Sequence, residues 1–522
     1  MNLSKIIPFV FFIFLLILAY FHDVFEEWDG VMQLWAGREI IGGAGYSGWT
    51  SHFWPPLYSV LTGFFDLFID GFWATKLVSI LSSAILVYFV FLVANEIFQK
   101  KYIGILAQLF LIFNPVFLLF SIEAENHMLE SLFYVMAFFF FLKSINNYGR
   151  KFFVLFLLLS SLAMSLACLS RYTSYAAVPI YLIFGFVFLG FRGGLKYASI
   201  FLISFLSFSS PWFIINWKSS GSPLSTWQYL NIGYAAIGAK SQWWWWEGQN
   251  YYHKIMEIIK SSPLLYIKNF LTNFFIKGPA SILLASGLLV IFFIYKLIVC
   301  CWQKTSDKFE NKLVFLIFAL LIINLFTVSN AFVGPEFVLP ISIVTAIFGA
   351  GYLIKKMGAY HLKKYFISVW LIVGLLICVS QYLNYLKNTD WNDGQQIPGL
   401  QLIVDGLRKY DENISAKKIM AFHPAYAYYL KSEFLVSPLY YVNSVEELVS
   451  YGGLSEKIKN YAPKYPSRIK SSEMRADYLI YDLGLKRHRP QYSFLLNKNS
   501  GEIPANFHWL FGSENFAVYK ID

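Results

Sequence analysis

The sequence predicts a polytopic α-helical membrane protein with a small C-terminal α/β domain. Three observations carry this. Hydrophobic residues make up 57% of the 522 and aromatics 20%, while charged residues are 14%, against about 25% in ordinary globular domains. Apolar runs recur over residues 1–387, separated by short loops that hold Lys and Arg. From Asn388 to Asp522 the composition turns to that of a soluble domain, with short apolar runs typical of buried strands. The chain therefore divides into a membrane domain at 1–387 and a soluble domain at 388–522.

The net charge of +11 does not mark a nucleic-acid binder. The cations fall in the loops between spans, where their simpler role is to fix topology. The four cysteines, Cys168, Cys300, Cys301 and Cys378, lie in or beside apolar runs and have neither a disulfide framework nor zinc-type spacing. No small-residue cleavage site follows the first apolar run, which reads as a retained anchor.

About eleven spans are predicted. Lys5 precedes the first, at about 6–21, and puts the N-terminus in the cytoplasm. External loop 1 covers 22–71. Within it Trp28–Ile41 has helical spacing and stops at Gly42-Gly43, which predicts an amphipathic surface helix. Pro55-Pro56-Leu57-Tyr58 opens a short interfacial stretch that reaches Ile69. Spans follow at about 72–98, 102–121, 129–145, 152–169, 176–191 and 197–216. A long external loop at 217–278 holds Trp243-Trp244-Trp245-Trp246, which reads as an interfacial aromatic belt. The last spans are at about 279–299, 313–331, 336–354 and 365–386. The odd number places the C-terminal domain outside a cytoplasmic (inner) membrane. In that domain strands are expected at Lys418–Phe422, Glu433–Val436 and Ala476–Tyr481, with a closing hairpin over Trp509–Tyr519 and helices at Ala425–Lys431 and Val445–Asn460.

This topology brings polar groups to one side of the membrane: Asp29, Glu123-Ala124-Glu125, Glu130, Arg171 and the tryptophan-rich loop. Each has a plain explanation. Asp29 suits a helix N-cap, Glu130 a first helical turn, the two loop glutamates a solvated surface, and Arg171 a side chain reaching the headgroups. Their coincidence on one face is informative. Carboxylates and an arginine at membrane level suit a lipid-tailed phosphate substrate, with the arginine neutralising phosphate and a carboxylate serving as general base.

The ordered set resembles the GT-C superfamily of membrane glycosyltransferases, most of all the protein O-mannosyltransferases and the aminoarabinose transferase of lipid A. The resemblance runs through Trp28-Asp29-Gly30, Trp54-Pro55-Pro56-Leu57-Tyr58, Leu129-Glu130-Ser131, Ser170-Arg171-Tyr172, Gly334-Pro335-Glu336-Phe337 and the soluble tail. The family's first loop often has paired adjacent acids; here Asp29 is followed by Gly30, and Glu26-Glu27 lies just before. Where the family often has an Arg-Tyr pair, this chain has Glu336-Phe337.

The resemblance implies an inverting transferase that moves a sugar from a polyprenyl-phosphate donor to an acceptor hydroxyl on protein, lipid or glycan. Asp29 would be the base. Arg171, Glu130, His52, Trp54 and Tyr58 would bind substrate, with His52 and His127 as reserve candidates for chemistry. Glu123-Ala124-Glu125 also resembles the second acidic motif of the oligosaccharyltransferase catalytic subunit, which implies a site for magnesium or manganese; no cofactor is strictly required. Expected partners are the donor, membrane lipids and the acceptor, and not nucleic acid. Two rivals fit less well. A lipid-linked glycan polymerase or ligase would favour arginine in the long external loop, which has none. A transporter or flippase would favour midplane charges and internal repeats.

Overall fold

The computed structural model describes residues 3–21, 25, 28–43, 54–220, 255–302, 309–357, 399–436, 476–488 and 490–522, with scattered positions within 222–233 and 369–397. His52, Glu26, Glu27, the four tryptophans at 243–246, nearly all of the expected span at 365–386 and the helix expected at 445–460 lie outside them.

The membrane domain begins with α1 (Leu3–Phe21). It buries Phe11, Leu15, Leu18 and Ala19 along one stripe, while Val10, Ile13, Phe14 and Ile17 face outward. An element apolar on both faces is one solvated by lipid. The segment after α1 then supplies α2 (Trp28–Ile41) and α3 (Leu57–Asp66). These two cross backbone to backbone. A Cβ at Gly37 would lie 2.2 Å from the Ser59 carbonyl, and one at Gly63 would lie 2.5 Å from the Gly37 carbonyl. Arg38 closes the pair with a two-pronged bond to Asp66, at 2.6 and 2.9 Å.

Next come α4 (Gly71–Phe98), α5 (Lys101–Ile112), α6 (Pro115–Ile122), α7 (His127–Asn146), α8 (Phe153–Ser170) and α9 (Ala177–Ser220). The expected span 102–121 is instead two helices bent by 69°. Asn114 breaks it: its side chain caps Phe117 N at 3.1 Å, and Pro115 cannot continue the preceding ladder. Gly190, at φ 69°, folds α9 back on itself, so that Tyr181 and Phe201 stack at 6.0 Å. The spans expected at 176–191 and 197–216 are thus the two arms of one hairpin.

The remaining helices are α10 (Ile255–Ser261), α11 (Pro263–Thr272), α12 (Gly278–Ser286), α13 (Leu289–Trp302), α14 (Phe309–Ser329) and α15 (Pro335–Met357). A π-helical turn at Asn273–Lys277 joins α11 to α12. The expected span 279–299 is broken at Gly287 by 112°. α15 is the most enclosed of the candidate spans. Among the described residues seven helices are long and apolar enough to cross a membrane, or nine if each bent pair counts as one span. The protein is multi-pass.

The C-terminal domain opens with α16 (Leu400–Tyr410). It then has β1 (Lys418–Ala421), α17 (Ala425–Leu430), β2 (Glu433–Val436), β3 (Tyr478–Asp482), α18 (Leu483–His488), β4 (Phe507–Gly512) and β5 (Phe516–Ile521). The sheet order is β2-β1-β3-β5-β4. β1 pairs in parallel with both its neighbours, and β5 runs antiparallel to β3 and β4. Central β3 is buried at every position, as the apolar run Tyr478–Tyr481 demands, and Asp482 at its end accepts from the Tyr426 hydroxyl and Leu485 N. Two apolar clusters flank the sheet, one around Tyr426 and Leu407, the other around Tyr492 and Tyr519.

Candidate active site

At one end of the bundle the turn between α6 and α7 meets the first turn of α2. Gly30 makes the approach possible: a Cβ there would sit 2.3 Å from the Ala124 carbonyl oxygen. Asp29, one residue earlier, is held beside the acidic turn. The turn itself is fixed from two sides. Ser79 on α4 donates to the Glu125 carbonyl at 2.9 Å, and Asn126 donates to the Ser170 carbonyl at 3.0 Å. The second bond sets the acids against the end of α8, where Arg171 leaves the helix.

Asp29 is half-buried. Its carboxylate accepts the indole N–H of Trp54, and Trp54 packs against Trp28 at 6.3 Å. Burial and the neighbouring Glu125 charge push its pKa up to about 7, against the lowering influence of Arg171 and Trp54. Trp54 is thus in direct contact with the proposed base.

Arg171 donates to Nδ1 of His127, and Nε2 of the same ring pairs with Glu125. A guanidinium can only donate, so Nδ1 accepts and Nε2 carries the proton given to Glu125. Arg171 also lies over the Phe337 ring at 4.4 Å. That contact brings in the first turn of α15, the segment where the family pattern and this chain differ.

Glu130 is buried one turn into α7. Its Oε1 accepts from Thr173 at 2.6 Å and Ser174 at 2.7 Å, both in the 3-10 turn that follows Arg171. Its Oε2 is buried without a hydrogen-bond partner, and Arg171 is near enough to act on it electrostatically. Tyr58 is buried in a cluster with Val78 and Leu129 and gives its hydroxyl to the Thr75 carbonyl at 3.1 Å.

Glu123, Glu125 and His127 offer ligand atoms that all lie within 4.8 Å of one another. Two carboxylates and an imidazole suit manganese or zinc as well as magnesium. His127, a reserve candidate for chemistry in the sequence, joins the two glutamates here; the alternate spacing Glu123-x-Glu125-x-His127 is the signal for it. Phe337 lies in the segment that departs from the family pattern, whereas the Thr173–Ser174 pair has no signal in the sequence beyond its place after Ser170-Arg171-Tyr172.

Residues 54–215 match the family model described as dolichyl-phosphate-mannose-protein mannosyltransferase. No match was found among curated protein sequences. Among solved structures, ArnT from Cupriavidus metallidurans bound to undecaprenyl phosphate is similar over 98% of this chain and 97% of its own, at 12% identity and a TM-score of 0.57. Its apo form gives 11% and 0.55 with the same coverage. The Archaeoglobus fulgidus oligosaccharyltransferase, in complex with zinc and sulfate, matches at 14% identity and a TM-score of 0.49, and the likeness spans 90% of this chain but 64% of that one. The ArnT likeness is one of fold. Residues 54–215 thus match the mannosyltransferase model, and nearly the whole chain shares the ArnT fold.

Proposed function

We propose that this protein transfers a sugar, with inversion, from a polyprenyl-phosphate donor to an acceptor hydroxyl on the extracytoplasmic face of the cytoplasmic membrane. The observation that carries the reading is the meeting of Asp29, Glu125, His127 and Arg171 at one end of the bundle, with Asp29 oriented by Trp54. ArnT, which shares the fold, was solved with undecaprenyl phosphate.

Asp29 takes the proton from the acceptor hydroxyl as that oxygen forms its bond to the anomeric carbon. The bond from that carbon to the phosphate oxygen breaks on the opposite face, and the lipid phosphate leaves with the electron pair. The transition state has oxocarbenium character, as in glycoside hydrolysis. A base near pH 7 is matched to this task. Arg171 meets the charge growing on the phosphate, and its stacking on Phe337 and bond to His127 hold the fork in place before substrate arrives.

The site holds four carboxyl groups against one guanidinium, which by itself is a poor receptor for an anion. Glu123, Glu125 and His127 would hold a divalent cation, and such an ion supplies Lewis-acid neutralisation of phosphate charge. Glu125 and His127 also belong to the Glu125–His127–Arg171 chain, which ties this ligand set to the guanidinium.

The test is turnover by purified full-length protein in nanodiscs. A panel of polyprenyl-phosphate sugars is offered with candidate acceptors, and release of lipid phosphate is followed in wild type and Arg171→Ala. One donor consumed by wild type and spared by the variant supports the reading. Vectorial transport of intact donor without cleavage would replace it with the flippase.

A further inference from the structure

Four hydrogen bonds run from the C-terminal domain into the membrane domain, and they end around Asp29 and at the head of α4. The Trp28 indole donates to the Phe422 carbonyl at 3.2 Å. Phe25 N donates to the Tyr429 hydroxyl at 2.9 Å. Phe72 N donates to the Tyr428 hydroxyl at 2.9 Å, and that hydroxyl donates to Asp70 Oδ1 at 3.0 Å. All come from one short segment, the end of β1 through α17.

The residues they reach are the ones that fix the proposed base. Phe25 lies directly under Gly30: its Cε1 would be 2.9 Å from a Cβ there. Its ring meets Tyr428 and Phe72 edge-on, at 5.1 and 5.7 Å. Trp28 precedes Asp29 and packs on Trp54, whose indole holds the Asp29 carboxylate. Asp70 and Phe72 form the N-cap of α4, the helix whose Ser79 pins the Glu125 carbonyl. Tyr428 therefore reaches the acidic turn through α4, and Tyr429 and Phe422 reach the base through α2. The Arg38 guanidinium lies 6.0 Å from the Tyr428 ring and ties α3 to the same point through Asp66.

We propose that the C-terminal domain is a positioning element of the active site. Tyr428, Tyr429 and the Phe422 carbonyl form a clasp that sets Asp29 against Glu125 and Arg171. The proposal rests on the transferase reading above. The Phe422–Tyr429 segment acts through Phe25, Trp28 and α4. Gross removal of the tail would abolish activity for many reasons, so the informative change removes two hydroxyl groups and keeps both rings.

The experiment compares full-length wild type, Tyr428→Phe/Tyr429→Phe and Asp29→Asn in nanodiscs. The double variant should keep its thermal midpoint and its donor KM within about twofold, yet lose tenfold or more in kcat. Hydrogen exchange at residues 28–34 should accelerate while α7 and α8 hold their protection, a readout that needs no substrate. Unchanged kcat and unchanged exchange would overturn the clasp. So would a kcat loss that merely tracks loss of folded protein. If the double variant does not fold, Trp28→Phe cuts the third tie from the other side and is judged by the same criteria. An active Asp29→Asn beside impaired tyrosine variants sinks the base and leaves the clasp; the reverse pattern sinks the clasp and leaves the base.

Discussion

Gly30→Ala separates packing from propensity. Alanine is the better helix former by about 1 kcal/mol, so local rules favour the substitution. The structure opposes it. The new methyl would sit 2.3 Å from the Ala124 carbonyl oxygen, 2.9 Å from Phe25 Cε1 and 3.2 Å from Ala124 Cβ. Ordinary contact starts near 3.4 Å, so α2 and the acidic turn must part by about 1 Å. Ala124 cannot yield alone, because the next two residues are pinned, Glu125 by Ser79 and Asn126 on the Ser170 carbonyl. Overpacking of this kind costs about 1–3 kcal/mol, part of which the propensity gain offsets, so the protein should fold with a modestly lowered thermal midpoint. Displacing a catalytic group by about 1 Å costs roughly 10²-fold in rate. The assay is the initial rate of lipid-phosphate release in nanodiscs beside a thermal melt. Gly501→Ala is the control, since a methyl there meets open space. Turnover at the wild-type level in Gly30→Ala would refute the reasoning that Asp29 must abut the acidic turn.

Further outcomes follow from the same geometry. Arg171→Lys keeps the charge but loses the stacking on Phe337 and the fork to His127; kcat/KM should drop by about 10-fold or more, and a fully active lysine variant would contradict the role given to the guanidinium. Asp29 works in its ionised form, so kcat/KM should climb with pH up to about 7 and level off above it; a flat profile through that range speaks against Asp29 as the base. Chelation should lower activity and manganese restore it, with His127→Ala shifting the metal concentration needed; activity indifferent to chelator would assign Glu123, Glu125 and His127 to hydrogen bonding alone. Gly63→Ala drives a methyl into the Gly37 backbone and should cost about 1–3 kcal/mol of stability by thermal melt.

The sequence showed the membrane class because lipid demands long apolar helices, and α4, α7, α8, α14 and α15 lie close to the expected spans. Hydropathy hides the breaks at Asn114 and Gly287, since apolar residues continue on both sides; the signals for them are the Asn114-Pro115 step and the glycine. In the tail, β1, α17, β2 and the final hairpin were readable from alternation and turn residues. Amphipathic α16 and the short α18 were not anticipated.

At the site, Asp29, Glu123, Glu125, Glu130 and Arg171 stood out as charges at span ends. What they do to one another depends on packing between distant segments. Gly30 looked like a departure from a paired-acid pattern, whereas its missing side chain is what admits the Ala124 carbonyl. Tyr58 stands in a conspicuous motif, and the fold sets its hydroxyl on the Thr75 carbonyl. Tyr428 and Tyr429 lie in the helix expected at Ala425–Lys431, and only the fold sets their hydroxyls against the amides of Phe72 and Phe25.

The most direct test of the account is lipid-phosphate release by Asp29→Asn against wild type, in nanodiscs, with the one donor that wild type consumes. The substitution keeps the shape and leaves an acceptor for the Trp54 indole, so folding and donor binding should persist. The account predicts release reduced by at least 10²-fold with donor affinity unchanged. Wild-type release from the folded, correctly inserted variant would contradict it.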